Sequence, residues 1–295
     1  MSRPNEPMRQ FPDSYRAPNG FRLDHHPLGM GNTAIVYAGV RISDNLPVAV
    51  KYYNPLLTDE FGKKQEAEEE RFRREFAAAS QIVHPNIVSV LATGQSLAED
   101  GTPLAPFMVM ERLAEDLRSR LTQGPVSSSV CIPWLRGLAN GLSAIHECGI
   151  IHRDIKPANV MFRGQVPVIV DFGFSKNISE SWMTAPGEFL GSLDYASPEQ
   201  LQSSAHVTTK SDVFSLGLMG VELATGKHPC PWLPTDSSYR SNRTRSLAID
   251  DKTIEAIPAG LRDILIRCVA MSADARPTSS QLAEALSEID AEAGR

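Results

Sequence analysis

The segment His152-Arg153-Asp154-Ile155-Lys156-Pro157-Ala158-Asn159 constrains this chain more than any other. It sets a carboxylate, an ammonium and an amide within six residues, Asp154 to Asn159, and a proline stiffens the turn that carries them. Such a turn can aim Asp154 and Asn159 at one small volume while Lys156 neutralises anionic charge there. Twelve residues beyond Asn159, the apolar run Val168-Ile169-Val170 enters Asp171-Phe172-Gly173, which places a second carboxylate where a strand meets a turn. Asn159 and Asp171 both offer oxygen to a hard cation such as Mg²⁺, which takes a few protein oxygens together with phosphates and water. Either segment alone is a weak signal, since a solvated polar loop and an unrelated buried Asp would read the same way. Their spacing makes the pair specific.

Composition narrows the context. A chain of 295 residues forms one large or two smaller domains, and 42% hydrophobic with 22% charged residues is ordinary globular material. The net charge of −6 argues against nucleic acid or an anionic membrane as partner. No apolar run reaches the roughly 18 residues of a transmembrane helix. Residues 1–19 hold four prolines and no apolar stretch of the kind a signal peptide needs, so they read as a mobile tail, and residues 290–295 are read as a C-terminal tail. Cys131, Cys148, Cys230 and Cys268 are widely separated without a C-x-x-C, which suits reduced thiols of a cytoplasmic protein.

Order is predicted to begin near Gly20. Phe21 to Leu28 reads as a strand, followed by Gly29-Met30-Gly31, whose N–H groups can approach phosphate oxygens closely. The strand Val48-Ala49-Val50-Lys51 follows. Residues 59–82 are helical by pattern, with Phe72, Phe76, Ala79 and Val83 as one apolar stripe, Glu75 beside it, and Glu69–Arg73 and Glu70–Arg74 as i,i+4 pairs. His84-Pro85 ends that helix, and Pro106 to Met110 is a further strand leading into Glu111-Arg112-Leu113. Helices then dominate. Ser127 or Ser128 caps a helix to about Glu147, with Leu135, Leu138, Leu142 and Ile145 inside, His146 as a partly buried core histidine and Gly149 at the stop. A loop of 25 residues, 172–196, precedes Ser197-Pro198-Glu199, a length that marks a functional or disordered segment. The helix from Ser211 to Ala224 closes at Gly226, with Asp212 read as capping its N–H groups. Residues 229–250 read as an exposed connection, and Leu261 to Ala270 and Ser279 to Ile289 as amphipathic helices.

In this order the segments resemble the Hanks-type protein kinases: H-R-D-x-K-x-x-N, then D-F-G, behind a Gly-rich loop and a V-A-I-K lysine. The resemblance runs from about residue 20 to about 289, and its H-R-D-x-K-P-x-N and Ser-Pro-Glu-Gln wording is most similar to bacterial Ser/Thr members. It implies an α+β, bilobal fold. Residues 20–113 would be a small five-stranded antiparallel lobe with one long helix, and residues 114–289 a larger helical lobe, with ATP between them. It further implies Asp154 as the base toward a Ser or Thr hydroxyl, Lys156 on the γ-phosphoryl group, and Lys51 on the α/β-phosphates with Glu75 as its partner. Asn159 and Asp171 would hold Mg²⁺, with Mn²⁺ an alternative. Leu28, Gly29, Gly31, Val36, Ala49, Met110 (the gatekeeper), Glu111, Leu113 and Met161 would line the ATP site, and Asp116 would meet the ribose. By the same resemblance Asp212 braces the catalytic loop and Arg276 pairs with Glu199. Two departures stand out: Ala34 replaces the third loop glycine, and the stretch after Leu113 is one residue short.

The implied activity is ATP-dependent phosphorylation of protein Ser/Thr, including autophosphorylation, with homodimers as one route to it, by a soluble cytoplasmic enzyme. A kinase-like binding module would have lost Lys51, Asp154 or Asp171, and a small-molecule kinase would show H-G-D and lack Ser-Pro-Glu. Ala158 carries no charge, so preference for basic residues in the substrate is weak, with Glu222 and Asp116 the remaining acids for it. Arg153 calls for an anionic partner on the segment after Asp171. Glu188, three residues before Gly191-Ser192, is one candidate, and phosphorylated Ser179, Ser181 or Thr184 the other.

Overall fold

Apolar residues alternate along three runs: Ile35 and Tyr37, then Val48, Val50 and Tyr52, then Ala105, Phe107 and Val109. A period of two puts each set on one face of a strand, and the computed structural model joins them in one buried cluster on a five-stranded antiparallel sheet. The structure describes residues 17–30, 34–53, 69–70, 72–73, 76–97, 100–101, 103–171, 194–202, 206–229, 249 and 251–293. The N-terminal tail to residue 16, Gly31, Arg74, Glu75, Cys230 and residues 172–193, with Glu188, Ser179, Ser181 and Thr184, lie outside them. The chain divides into two compact units, one of residues up to Gln81 with Ser89–Arg112, the other of Ile82–Val88 with Leu113 onward.

The first unit holds β1 (Phe21–Met30), β2 (Ala34–Arg41), β3 (Pro47–Tyr53), β4 (Val90–Leu97) and β5 (Pro103–Glu111), in the order β1-β2-β3-β5-β4. On its clustered face the Tyr52 ring lies 6.1 Å from Tyr37 and 6.0 Å from Phe107. The opposite face carries Ala49, Lys51 and Tyr53, and helical turns within residues 69–79 pack there. Phe72 meets the Tyr53 ring at 5.2 Å and Phe76 at 4.2 Å. Glu69 pairs with Arg73 as i,i+4 spacing predicts. One position departs from the predicted stripe. Val83 is 96% exposed, because the helical turns stop by residue 80 and the chain buries Ile82 instead.

The second unit is mainly helical. It contains α1 (Leu117–Leu121), α2 (Ser128–Glu147), α3 (Pro198–Gln202), α4 (Thr209–Thr225), α5 (Asp251–Glu255), α6 (Ala259–Cys268) and α7 (Ser279–Ala293), with a short hairpin of β6 (Val160–Arg163) and β7 (Val166–Ile169). Helix α2 packs on α4 and α7 through Leu135, Leu138, Leu142 and Ile145, all at most 1% exposed. It ends as the sequence predicts. Gly149 at φ +72° donates to His146 O and Ile150 to Ile145 O, the paired bonds of a Schellman motif.

Helix α4 begins differently from expectation. Its cap is Thr208, reciprocally bonded with Ser211, so Asp212 lies a turn inside and its carboxylate is directed elsewhere. Residues 82–88 are bound into this second unit by a parallel bridge, Val88 N–H to Ile169 O at 3.0 Å and Ile169 N–H to Asn86 O at 2.8 Å. Among the described residues no helix is long and apolar enough to cross a membrane.

Candidate active site

Helix α2 delivers the chain through buried Ile150 into the loop of Asp154, and two separate elements and the segment's own histidine hold that loop. From α4, the 1%-exposed carboxylate of Asp212 accepts the N–H of His152 at 2.8 Å and of Arg153 at 2.7 Å. From α3, Gln200 Nε2 donates to Arg153 O at 2.9 Å. From the start of the segment itself, His152 is fully buried. Its Nδ1 accepts Asp154 N–H at 3.3 Å, which leaves the ring proton on Nε2 to bond Val170 O at 3.3 Å. Burial lowers the His152 pKa, consistent with a neutral ring in this role.

Within the loop, Lys156 Nζ sits 2.9 Å from Asp154 Oδ2, and Asn159 Nδ2 donates to both Asp154 Oδ2 and Asp154 O at 2.8 Å. The Asn159 amide nitrogen is thereby committed, so its oxygen is the atom of this side chain that could hold a cation. At the far end of the β6–β7 hairpin, Val170 N–H bonds Asn159 O at 2.9 Å, so Asn159 and Asp171 occupy the same end of that hairpin. Of the three non-glycine residues at positive φ among the described residues, two are Arg153 (+65°) and Asp171 (+57°). Left-handed backbone at such residues costs free energy and persists only where the surroundings impose it. Here the imposing contacts at Arg153 are those of Asp212 and Gln200.

A buried ion pair stands behind this loop. Arg276, with its side chain fully buried, bonds Glu199 at 2.7 and 3.0 Å, and Ser211 Oγ donates to the same carboxylate at 2.6 Å. Burial would raise the Glu199 pKa, but the bonds from Arg276 and Ser211 outweigh it and the net shift is downward. The pairing implied by resemblance is therefore present, as is the brace of Asp212. Sequence reading missed that His146 joins the brace: its Nε2 lies 2.9 Å from Asp212 Oδ2 and its Nδ1 2.9 Å from Ser279 Oγ. A histidine in the last turn of α2, just ahead of the loop, was the available signal.

In the sheet unit, strand register brings Val36, Lys51 and Met108 side by side, and Ala38, Ala49 and Met110 beside them. Val36, Ala49, Lys51 and Met110 thus share one face. Lys51 Nζ lies 6.0 Å from the Phe72 ring centre. Leu28 and Gly29 are exposed on β1, and Glu111 ends β5 with its carboxylate accepting Ser89 N–H at 2.8 Å. In the helical unit Leu113 and Met161 are half-buried, and Met161 bridges to Asp116. The Asp116 oxygens are occupied in capping α1, through Ser119 N–H at 2.8 Å and Ser119 Oγ at 3.1 Å. Asp154, Lys156 and Asn159 are brought into direct contact. Glu75 and Gly31 lie outside the described residues.

The protein kinase domain family matches residues 23–286. The chain belongs to the protein kinase family. Relatives include the serine/threonine-protein kinase pkn2 of Myxococcus xanthus, 33% identical over 93% of this chain and 33% of the relative. Another is the serine/threonine-protein kinase PknL of Mycobacterium tuberculosis, 31% identical over 88% of this chain and 61% of the relative. The chain therefore spans about a third of the first relative and less than two thirds of the second. The solved structure of Rad53 1–466 in complex with AMP-PNP aligns with a TM-score of 0.71 at 21% identity, covering 90% of this chain and 64% of that one. That likeness shows the fold alone, and the fold is the α+β one implied by the motifs.

Proposed function

We propose that this chain is an ATP-dependent protein serine/threonine kinase that phosphorylates protein hydroxyls, its own included. The observation that carries the reading is the buried Asp154 carboxylate, held by Lys156 and Asn159 at one end of a hairpin that continues to Asp171. In the proposed reaction the substrate hydroxyl oxygen attacks the γ-phosphorus, and its proton passes to Asp154. The bond between the γ-phosphorus and the bridging oxygen breaks, and ADP leaves. Lys156 balances charge on the transferring group, and Lys51, with Glu75 as proposed partner, binds the α/β-phosphates.

An amide oxygen and a carboxylate fit a hard divalent ion that also binds phosphates and water, so Asn159 and Asp171 would hold Mg²⁺, with Mn²⁺ as the alternative. When bound, such an ion neutralises phosphate charge. In this reading Val36, Ala49, Met110 and Met161 would offer apolar surface to adenine, Glu111 and Leu113 would offer backbone groups to its edge, and Leu28 and Gly29 at the end of β1, together with Gly31, would cover the phosphates. The proposed compartment is the cytoplasm, where ATP is supplied and buried thiols such as Cys131 and Cys268 stay reduced.

Phosphosite mapping of purified protein and of a generic protein substrate, with and without Mg-ATP, tests this. New phosphoserine or phosphothreonine is expected, and Asp154→Asn should slow its appearance by about 10²–10⁴-fold. Wild-type protein that binds Mg-ATP and transfers no phosphate to any protein would leave a nucleotide-binding module in place of a kinase.

A further inference from the structure

Arg120 lies in the last turn of the short helix α1, and its guanidinium is gripped on its face and along its edge. The central carbon lies 3.5 Å from the Phe162 ring centre and 5.1 Å from that of Trp134, and the two rings meet at 4.7 Å. Around its edge, Nε and Nη2 each bond the Glu115 carboxylate at 2.7 Å, Nη1 bonds Gln165 at 3.2 Å, and Nη2 bonds Gly164 O at 3.3 Å. Only a planar, forked cation can stack and bond in its own plane at once. The backbone runs the same way: Phe162 N–H donates to Glu115 O at 2.9 Å.

These partners share a location. Phe162, Gly164 and Gln165 belong to the β6–β7 hairpin and its turn, and the opposite end of that hairpin bears Asn159 and Asp171. With four residues in each strand, a rotation of the turn is carried to the base. The Glu115 side chain is 46% exposed, and a half-exposed ion pair adds little to global stability. Its geometric content is larger, because it fixes the hairpin against α1 in one orientation.

We propose that Arg120 is a positioning residue for the Asn159–Asp171 pair, setting the spacing of the two oxygens through the hairpin. This rests on the reading of that pair as metal ligands. Groups that orient ligands typically govern metal affinity by 10–100-fold, and Arg120 acts one step further out, so its removal should raise the Mg²⁺ needed by about 3–10-fold.

The experiment titrates Mg²⁺ against binding of a fluorescent ATP analogue and, in parallel, against initial phosphorylation rate, using the full chain. Arg120→Ala should raise the half-saturating Mg²⁺ in both, recover most of its rate at high Mg²⁺, and leave metal-free nucleotide affinity unchanged. Arg120→Lys should fall between wild type and alanine. Glu115→Ala, which keeps the stack and removes the fork, should shift in the same direction and serves if Arg120→Ala does not fold. Asp171→Asn is the control for the metal reading. If Asp171→Asn shifts the Mg²⁺ dependence while the Arg120 and Glu115 variants do not, positioning is overturned. If Asp171→Asn also leaves it unmoved, the metal reading falls and takes the proposal with it. Loss of activity that follows melting temperature alone, with no recovery at high Mg²⁺, would make Arg120 merely structural.

Discussion

The Asp212 carboxylate accepts the backbone N–H of Arg153 at 2.7 Å, and so holds a left-handed residue directly before the proposed base. Its second oxygen serves His152 N–H and His146. Asn at this position can accept at one oxygen only, and its NH₂ would face a backbone donor. Asp212→Asn should therefore lose about 2–4 kcal/mol of stability. It should also lower the rate by about 10²-fold at a temperature where the variant remains folded, through misplacement of Asp154. Urea unfolding and initial-rate assays check both. A variant that is less stable yet fully active would show that Arg153 keeps its geometry unaided.

Removal of Arg276 strands a buried carboxylate. Arg276→Ala should destabilise the protein by about 3–5 kcal/mol, most of it the cost of leaving Glu199 without its partner. Arg276→Lys should recover only part of this, since a single ammonium cannot make both Glu199 bonds and those to Ala270 O and Met271 O. Equilibrium unfolding decides it. A loss below about 1 kcal/mol would place the pair among the weak ones.

Acid should weaken the fold in two stages. Unfolded, His152 and His84 take up protons near pH 6.5 and Glu199 near pH 4.5, whereas in the folded chain all three pKa values are lower. Burial is the cause for both histidines. For Glu199, burial opposes the shift, and the bonds from Arg276 and Ser211 produce it. At these three groups the folded state binds fewer protons, so the stability they contribute is complete above pH 6.5, begins to fall below it through the histidines, and falls further below pH 4.5 through Glu199. Urea midpoints measured between about pH 8 and about pH 4 should show this, with the upper stage reduced in His152→Asn. A flat profile above pH 5 would contradict the histidine assignment.

Substrate peptides should show little demand for basic residues. Ala158 is exposed and uncharged, Asp116 is occupied as a cap, and the half-buried Glu222 already accepts the Tyr195 hydroxyl. Burial raises the Glu222 pKa although the Tyr195 bond works against it, which makes the group a poorer site for a guanidinium. A peptide array should give weak selection at every position before the target. A steep requirement for Arg three residues ahead of it would refute this.

The parts that sequence made legible are those whose physics is local. The run Val48-Ala49-Val50-Lys51 read as a strand, and six consecutive residues contain the whole Asp154–Lys156–Asn159 contact set. Gly149 marked a helix end because only backbone conformation was at stake. The failures came where two local signals competed or where partners lie far apart along the chain. Thr208 and Ser211 form a capping box that outcompetes Asp212, and that leaves the aspartate for the loop. At Val83 an unbroken apolar period continued past the last helical turn, since periodicity carries no stop signal of its own. Arg120 gave no sign, because Trp134 and Phe162 come beside it only through tertiary folding.

The bridge from Ile87 to Ile169 has a practical bearing on dissection of this protein. Residues 82–88 sit in sequence between two stretches of the sheet unit yet belong to the helical one, so no single cut of the chain separates the two. A fragment ending after Arg112 would carry Ile82, Ile87 and Val88, all buried here, as bare apolar surface, and would strand the N–H of Val88 without Ile169 O. Such a piece is prone to aggregate, and swapping sheet units between relatives would succeed only if this seven-residue graft (82–88) stayed with its native helical half.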